Sequence, residues 1–456
     1  MSTLNEYLLS YLGAYLCFGF VYGMCLQYGK FCFSSAFRDL FAVGVPRMAV
    51  GIMIAMVPFG VVSALLTATG TGAFQPAPYG VHSVVAGLIF GAGMVLAGGC
   101  ASGSLYKAGE GSGVAMLTVA ALSVTQAIVV DVGGWLIHLT PQAWRDSAAS
   151  KSLPVSIGAS DGWMDHYLAG YVWDRPSATW GELLGSSNPF LAAYLGNVLV
   201  GIVVPAGLIL AWVYIVWARR PFLTRRARAR DVAPRRWTEL VGYWSMITAS
   251  RRTAIAGLLL GLAAGLQLIV MKEIRTAFGV ANFGTLLARS GFTSGLSANG
   301  AVFDPGYWYV TTQEAQWAAW VLQGLGWDMM DNVFFGFSNG VPHPLLNPPG
   351  WMSIGVVVGA AVMALLHNEF RWKAPTMETA VWAILGGGLM GIGARLGLGC
   401  NIGAFFVRVS QGDVSGWLFG LGMIGGAYGG VKFLSWWTAR RIAREPAFAL
   451  ARQRPP

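Results

Sequence analysis

Long apolar runs broken by short polar or glycine-rich interruptions dominate this chain, and they predict its elements. Nine runs approach or exceed the roughly 20 residues that span a bilayer as a helix: residues 7–28, 47–66, 80–99, 114–139, 190–217, 253–271, 351–367, 377–399 and 414–437. Four pieces lie between them and are too short to cross: 31–40, 101–113, 272–290 and 401–410. A helix that stops inside a membrane is tolerated only against protein or a water-filled cavity, so these pieces read as re-entrant or interfacial half-helices. Residues 67–79, with Pro76 and Pro78, read as a loop.

One pattern occurs twice. Gly87-Leu-Ile-Phe-Gly-Ala-Gly-Met-Val-Leu-Ala-Gly-Gly-Cys100 returns without a gap as Gly387-Gly-Leu-Met-Gly-Ile-Gly-Ala-Arg-Leu-Gly-Leu-Gly-Cys400, and Gly103 and Gly403 follow at equal distance. Gly261 and Gly265 likewise echo Gly19 and Gly23. The second half therefore repeats the first, with residues 272–290 in the place of the Cys32 segment and Ala277-Phe278 matched to Ala36-Phe37. The domain plan is a first repeat over 1–217, a linker over 218–252, a second repeat over 253–438 and a tail over 439–456. Each repeat carries a long insertion, 140–188 in the first and 291–350 in the second.

Charge orients the plan. Eight arginines fall between Arg219 and Arg236 and five between Arg440 and Arg454. Basic loops stay cytoplasmic, which explains both clusters without nucleic-acid binding. Alternation then puts both insertions outside and runs the two glycine-cysteine spans in opposite directions, the signature of an inverted repeat. The expected fold is an all-α integral membrane protein, a bundle of about nine transmembrane helices plus re-entrant half-helices.

Composition agrees. Of 456 residues, 55% are hydrophobic and 11% charged, against about 25% charged in soluble proteins, so lipid is the main solvent. The 62 glycines suit close helix approach in membranes. Met1 to Glu6 lacks the basic start of a cleavable signal peptide. The five cysteines form no CxxC pair and the five histidines show no metal-ligand spacing. No nucleotide motif is present, and no cofactor is expected.

The candidate chemistry sits at the breaks. If Cys100 and Cys400 open new half-helices, the amides of Ala101, Ser102 and Gly103, and of Asn401, Ile402 and Gly403, are free donors beside each thiol, preceded by the flexible Gly99 and Gly399. Helix N-termini attract anions weakly, about 0.3–1 kcal/mol each when partly exposed, and weak binding suits a pathway because the substrate must leave. A neutral thiol is polarizable and does not repel an anion. Cys17 and Cys25, inside an ordinary span, read instead as small core hydrophobes; Cys32, on a short piece, stands between the two readings. Arg395, within an apolar run, is a functional candidate because intramembrane charge is costly, with carbonyl capping or an acid partner as its structural alternative. Lys107, Arg38 and Arg408 are candidates to draw an anion inward or to snorkel, and Asp131 and Glu110 to pair with these bases.

Three stretches carry a resemblance: Gln27-Tyr-Gly-Lys-Phe-Cys-Phe-Ser-Ser-Ala-Phe-Arg-Asp39, Leu96-Ala-Gly-Gly-Cys-Ala-Ser-Gly-Ser-Leu-Tyr-Lys-Ala-Gly-Glu-Gly111, and Gly391-Ile-Gly-Ala-Arg-Leu-Gly-Leu-Gly-Cys-Asn-Ile-Gly403. They resemble the YeeE/YedE family of bacterial sulfur-compound transporters. The resemblance implies an hourglass-like inverted-repeat fold and uptake of thiosulfate across the cytoplasmic membrane, relayed by S–H contacts along Cys32, Cys100 and Cys400. The two long insertions depart from compact members, and selenium or other sulfur compounds remain alternative cargo. Channel-like movement, ion coupling, and pulling by a cytoplasmic sulfur-handling partner all stay open. A rival class, a membrane thiol oxidoreductase or sulfur-transfer enzyme, needs a cysteine pair able to form a disulfide. A purely structural membrane subunit would leave the duplicated motif unexplained.

Overall fold

A computed structural model describes residues 2–69, 79–137, 169–171, 188–208, 210–211, 250–280, 308–328, 341 and 343–444. The first half comprises α1 (Ser2–Gly29), α2 (Phe33–Arg38, continued by a π-turn over Asp39–Val43), α3 (Arg47–Ala68), α4 (Val81–Leu96), α5 (Ala101–Gly109) and α6 (Gly113–Ile137). Helix α7 (Pro189–Val198) continues as a π-turn over Leu199–Val203. The second half comprises α8 (Arg251–Ala277), α9 (Val310–Gly324), α10 (Pro348–Leu366), α11 (Met377–Leu396), α12 (the π-helical Asn401–Val407 with Arg408–Ser410) and α13 (Val414–Arg444). A two-strand pairing of Tyr79–Gly80 with Ala169–Tyr171 is the one sheet among the described residues.

Six stretches of the described residues are long and apolar enough to cross a membrane: Glu6–Val43, Arg47–Ala68, Val81–Gly109, Arg251–Ala277, Pro348–Leu366 and Met377–Leu396. Shorter apolar helices cover Gly113–Val129 and Tyr194–Leu208. The chain is a helical, multi-pass membrane protein. The exposed faces of these helices carry Leu88, Leu262, Leu266, Ile384 and Leu385, the surface expected where lipid replaces water.

Packing follows one reciprocal rule. Helix α1 lies along α10 as α8 lies along α3, and α4 lies along α13 as α11 lies along α6. Helix α5 packs on α10 and α6, whereas α12 packs on α3 and α13. At the centre α4 crosses α11 and α1 crosses α8. Each half thus lends its helices to the other, and the duplicated glycines are the seats. A methyl group at Gly87 or Gly91 would collide with the α13 backbone at Phe419 and Met423, and one at Gly387 or Gly391 with the α6 backbone at Thr118 and Leu122. Gly19 and Gly23 meet Met352 and Val356 of α10 in the same manner, and Gly261 and Gly265 meet Ala55 and Val62 of α3. Without a hydrophobic drive between helices in lipid, such close backbone approach supplies the packing attraction.

Two expectations are corrected. Residues 272–277 do not form a separate short piece; they continue α8 to Ala277, because no Gly or Pro interrupts Lys272-Glu-Ile-Arg-Thr-Ala277, while 281–290 lie outside the described residues. The partner position of α2 is held instead by α9. As α2 packs on α3, α4 and α13, α9 packs on α10, α11 and α6. Helix α9 falls inside the stretch 291–350 expected as an outer insertion, yet Thr311, Thr312, Gln313, Glu314 and Gln316 on it are buried. Two of its polar groups find partners on neighbouring elements: Gln313 Nε2 donates to Ser353 Oγ at 2.6 Å, and Asn347 Nδ2 donates to Gln316 Oε1. Most of the other insertion, 140–188, lies outside the described residues.

Candidate functional site

The three short elements α2, α5 and α12 each begin at a cysteine. Cys32, Cys100 and Cys400 are N-cap residues with extended backbones, the geometry in which an N-cap side chain turns back to accept the first free amides. Cys100 Sγ accepts from the Gly103 N–H at 3.3 Å, and Cys400 Sγ accepts from the Ile402 N–H at 3.4 Å. This corrects the expectation of entirely free amides there. The thiols occupy the capping place that a serine hydroxyl would otherwise take. A sulfur that accepts one hydrogen bond keeps its S–H to donate elsewhere, so the cap orients each thiol without consuming its proton.

Cys32 does not cap its own helix. Its sulfur lies 3.7 Å from Cys100 Sγ, which also stands 3.6 Å from Ser102 Oγ. Both are free thiols and almost wholly buried. The α2 helix is pinned there by Ser34 Oγ donating to the Met94 carbonyl at 2.8 Å. Gly103 leaves room for the pair: a Cβ at that position would sit 2.5 Å from Cys32 Sγ and 3.0 Å from Cys100 Sγ. Cys17 is exposed and Cys25 buried, both away from the breaks.

The breaks themselves are held alike. The chain turns through a left-handed residue at Gly98 (φ 71°) and at Leu398 (φ 53°). The second is a conformation that costs a non-glycine residue about 1–3 kcal/mol. Lys107 Nζ donates to the Gly98 carbonyl at 2.8 Å, and Arg408 Nη2 reaches the Leu398 carbonyl at 3.4 Å. The two bases, expected as anion attractors or snorkelling groups, serve as clamps on carbonyls that the broken helices leave unpaired. Arg38 stands 3.8 Å from Asp39. Glu110 pairs not with these bases but with Lys30, at 3.0 Å, and the side chain of Asp131 lies outside the described residues. Arg395 is completely buried in α11.

Around these breaks lies a half-open cavity of about 80 Å³. Phe31 and Phe33, which flank Cys32, line it, as do Ser102 and Ile402, each two residues beyond its cysteine. Its wall is otherwise aromatic and aliphatic, with Tyr22 and Gln267 bonded to each other at 2.7 Å. The lining holds no charged side chain. None of the three cysteines lines it, and its polar side chains are Tyr22, Ser102 and Gln267.

The second half differs at one position that the sequence reading missed. Tyr309 is the N-cap residue of α9, and its hydroxyl donates to the Leu398 carbonyl. Its ring faces Gly403, where a Cβ would meet it at 3.2 Å, just as Cys32 faces Gly103. Tyr309 therefore stands where the first half has Cys32. No spacing rule reveals it, because α9 follows α8 by more than thirty residues instead of four; the only signal is the uninterrupted helical composition of Val310–Gly324. The same polar helix carries Glu314, also unassigned from sequence.

Comparison with known proteins gives consistent relatives. The sulphur transport family model matches residues 28–429. The thiosulfate transporter TsuA of Spirochaeta thermophila is 29% identical over 415 residues, covering 88% of this chain and 92% of the relative. TsuA of Escherichia coli is 26% identical over 439 residues, covering 95% and 96%. The probable transporter YedE of Escherichia coli is 37% identical over 128 residues, covering 28% and 32%. The match runs through all three cysteine breaks and nearly the whole helical bundle, so this chain belongs to the sulphur transport family, the YeeE/YedE group.

Proposed function

We propose that this chain imports thiosulfate, or a closely similar small sulfur anion, across the bacterial cytoplasmic membrane. In this reading the anion passes by weak S–H contacts from the Cys32–Cys100 pair to Cys400. The supporting cast is Gly99, Ala101, Ser102 and Gly103 on one side, and Gly399, Asn401, Ile402 and Gly403 on the other. The observation that carries the reading is a cavity bordered by neighbours of all three cysteines. The thiosulfate transporters covered over more than nine-tenths of their length support the cargo. The reciprocal packing of the two halves and the arginine-rich 218–252 and 439–456 support an inverted repeat of about nine spans with both basic segments cytoplasmic.

The chemistry favours thiols over stronger groups. A thiolate would repel the anion, and a lysine would hold it. A neutral S–H donates a soft, weak hydrogen bond to sulfur or oxygen, so each contact is easily exchanged for the next. Arg395 and Lys107 act by holding the breaks and their surroundings in shape. Inward passage of a dianion against 100 mV, negative inside, costs about 4.6 kcal/mol at about 2.3 kcal/mol per charge, so some driving force must accompany it.

The test is growth on thiosulfate of cells that lack uptake, carrying the wild-type chain or its Cys→Ala variants. Loss with Cys32→Ala, Cys100→Ala and Cys400→Ala but not Cys17→Ala is the expected result; normal uptake by Cys100→Ala overturns the relay. A second reading gains from one observation: Cys32 and Cys100, far apart in sequence, lie 3.7 Å apart, the sort of pair a thiol oxidoreductase or sulfur-transfer enzyme requires. A stable disulfide between them in native membranes, cycling with substrate, favours that reading.

A further inference from the structure

We propose that Glu314 is a proton-binding site through which this chain couples entry of protons to entry of the anion. The inference rests on the transport reading above and adds its driving force. Glu314 lies on α9, wholly buried, and neither carboxyl oxygen has a hydrogen-bond partner among the described residues. Two neighbours on the helix do find partners: Gln313 Nε2 donates to Ser353 and Gln316 Oε1 accepts from Asn347. A buried ionised carboxylate without partners is so unfavourable that the group holds a proton instead. An ionisable group of this kind inside a membrane bundle is a functional candidate by default.

Position turns the lone acid into a coupling device. Glu314 stands within electrostatic reach of the Cys400 thiol, and Asn401, next to that thiol, is fully buried with neither amide atom hydrogen-bonded among the described residues. Other titratable groups come from each packed element. Helix α11 brings Arg395, and α5 brings Tyr106 and Lys107, the latter engaged on the Gly98 carbonyl. The N-cap of α9 itself is Tyr309. His343, beside the turn Pro344–Leu346, is exposed and meets Trp320 edge-on near the far end of α9. Helix α10 offers Ser353 and α6 offers Gln126, neither of which titrates; the side chain of Asp131 lies outside the described residues.

The balance is simple. A proton from water on the entry side forms the O–H bond of Glu314, and that bond breaks when the carboxyl reaches water on the exit side; nothing is oxidised or reduced. An anion at Cys400 raises the proton affinity of the carboxyl, and by reciprocity the bound proton raises the affinity for the anion. Proton and anion therefore travel together, and the inward proton gradient offsets the membrane potential that opposes an anion.

Purified full-length protein in vesicles tests this with radiolabelled thiosulfate. Wild type should accumulate label when the lumen is alkaline, acidify the lumen as it does so, and exchange internal for external thiosulfate without any gradient. Glu314→Gln should lose gradient-driven accumulation and lumenal acidification but keep exchange, whereas Glu314→Asp should keep all three. Exchange by wild type with no response to the pH gradient, or a full response by Glu314→Gln, overturns the inference and leaves the transport reading standing. No accumulation and no exchange by wild type overturns the transport reading itself. Should Glu314→Gln not fold, wild type still decides. An apolar carbodiimide, which modifies buried protonated carboxyls, should label Glu314 and abolish the response to the gradient; failure to label it overturns the inference.

Discussion

The ring of Tyr309 lies against Gly403 so closely that a single added methyl would meet it at 3.2 Å. The first half of the chain puts a thiol, Cys32, in that relation to Gly103. The two breaks are therefore chemically unequal: two sulfurs in contact at one, one sulfur beside a phenol at the other. On the proposed relay, this inequality would make one soft, two-thiol station and one with a harder donor.

Methyl groups at the two glycines should separate these stations. Gly103→Ala drives a Cβ to 2.5 Å from Cys32 Sγ, and overpacking of this kind costs about 1–3 kcal/mol and displaces side chains. Uptake should fall to background. Gly403→Ala meets only the edge of a ring at 3.2 Å, so uptake should fall less. Equal uptake by both variants would contradict the geometry.

Tyr309→Phe keeps the ring over Gly403 but removes the donor to the Leu398 carbonyl. That carbonyl belongs to a left-handed leucine, and Arg408 still reaches it at 3.4 Å. The variant should lose about 0.5–1.5 kcal/mol of stability, read as a lower thermal midpoint in detergent. Arg408→Met should lower it as well, and the double variant by more than the sum, since the carbonyl then has neither donor.

Lys107 distinguishes clamping from attraction. If its ammonium holds the Gly98 carbonyl, Lys107→Met lowers the maximal uptake rate and the thermal midpoint by a cost of about 1–3 kcal/mol, with little change in the half-saturating thiosulfate concentration. A several-fold rise in that concentration with unchanged stability would assign the lysine to the anion instead.

The contact between Cys32 and Cys100 predicts a reactivity difference. At 3.7 Å the sulfurs need a modest approach to reach the roughly 2.05 Å of a disulfide. A mild oxidant should therefore crosslink this pair, block uptake reversibly, and leave Cys400 reduced. Peptide mapping after oxidation reads the pairing, and a crosslink involving Cys400 would contradict the arrangement.

Lys30 ties three segments together at one end of the bundle. It bonds Glu110 at 3.0 Å and Glu369 at 2.7 Å, two residues before Cys32. The Lys30 hydrogen bond and charge hold the Glu369 carboxyl below the usual carboxylate range. A depressed carboxylate contributes stability above its unfolded value and loses it as pH falls through the folded one. The thermal midpoint of wild type should thus exceed that of Lys30→Gln above about pH 5, and the gap should narrow as pH falls below the ordinary carboxylate range and close below the depressed folded value. Because the ion pair is half-exposed, added salt should narrow it too.

The sequence alone determined the class of the protein and the location of its special places. Apolar run length needs only the thickness of a bilayer to become a span, and a glycine-cysteine motif occurring twice announces a break wherever the chain folds. Cys100 and Cys400 were legible for that reason, and Cys32 once the family resemblance was added. Tertiary structure alone decided what meets at those breaks. That Cys32 touches Cys100, that Lys107 and Arg408 clamp carbonyls, and that Tyr309 replaces a fourth thiol all depend on contacts between residues far apart in the chain. Helix α9 shows the limit most plainly. The stretch 291–350 reads as an outer insertion because alternation counts only long apolar runs, and the burial of Gln313, Gln316 and Glu314 comes from helices packed around it.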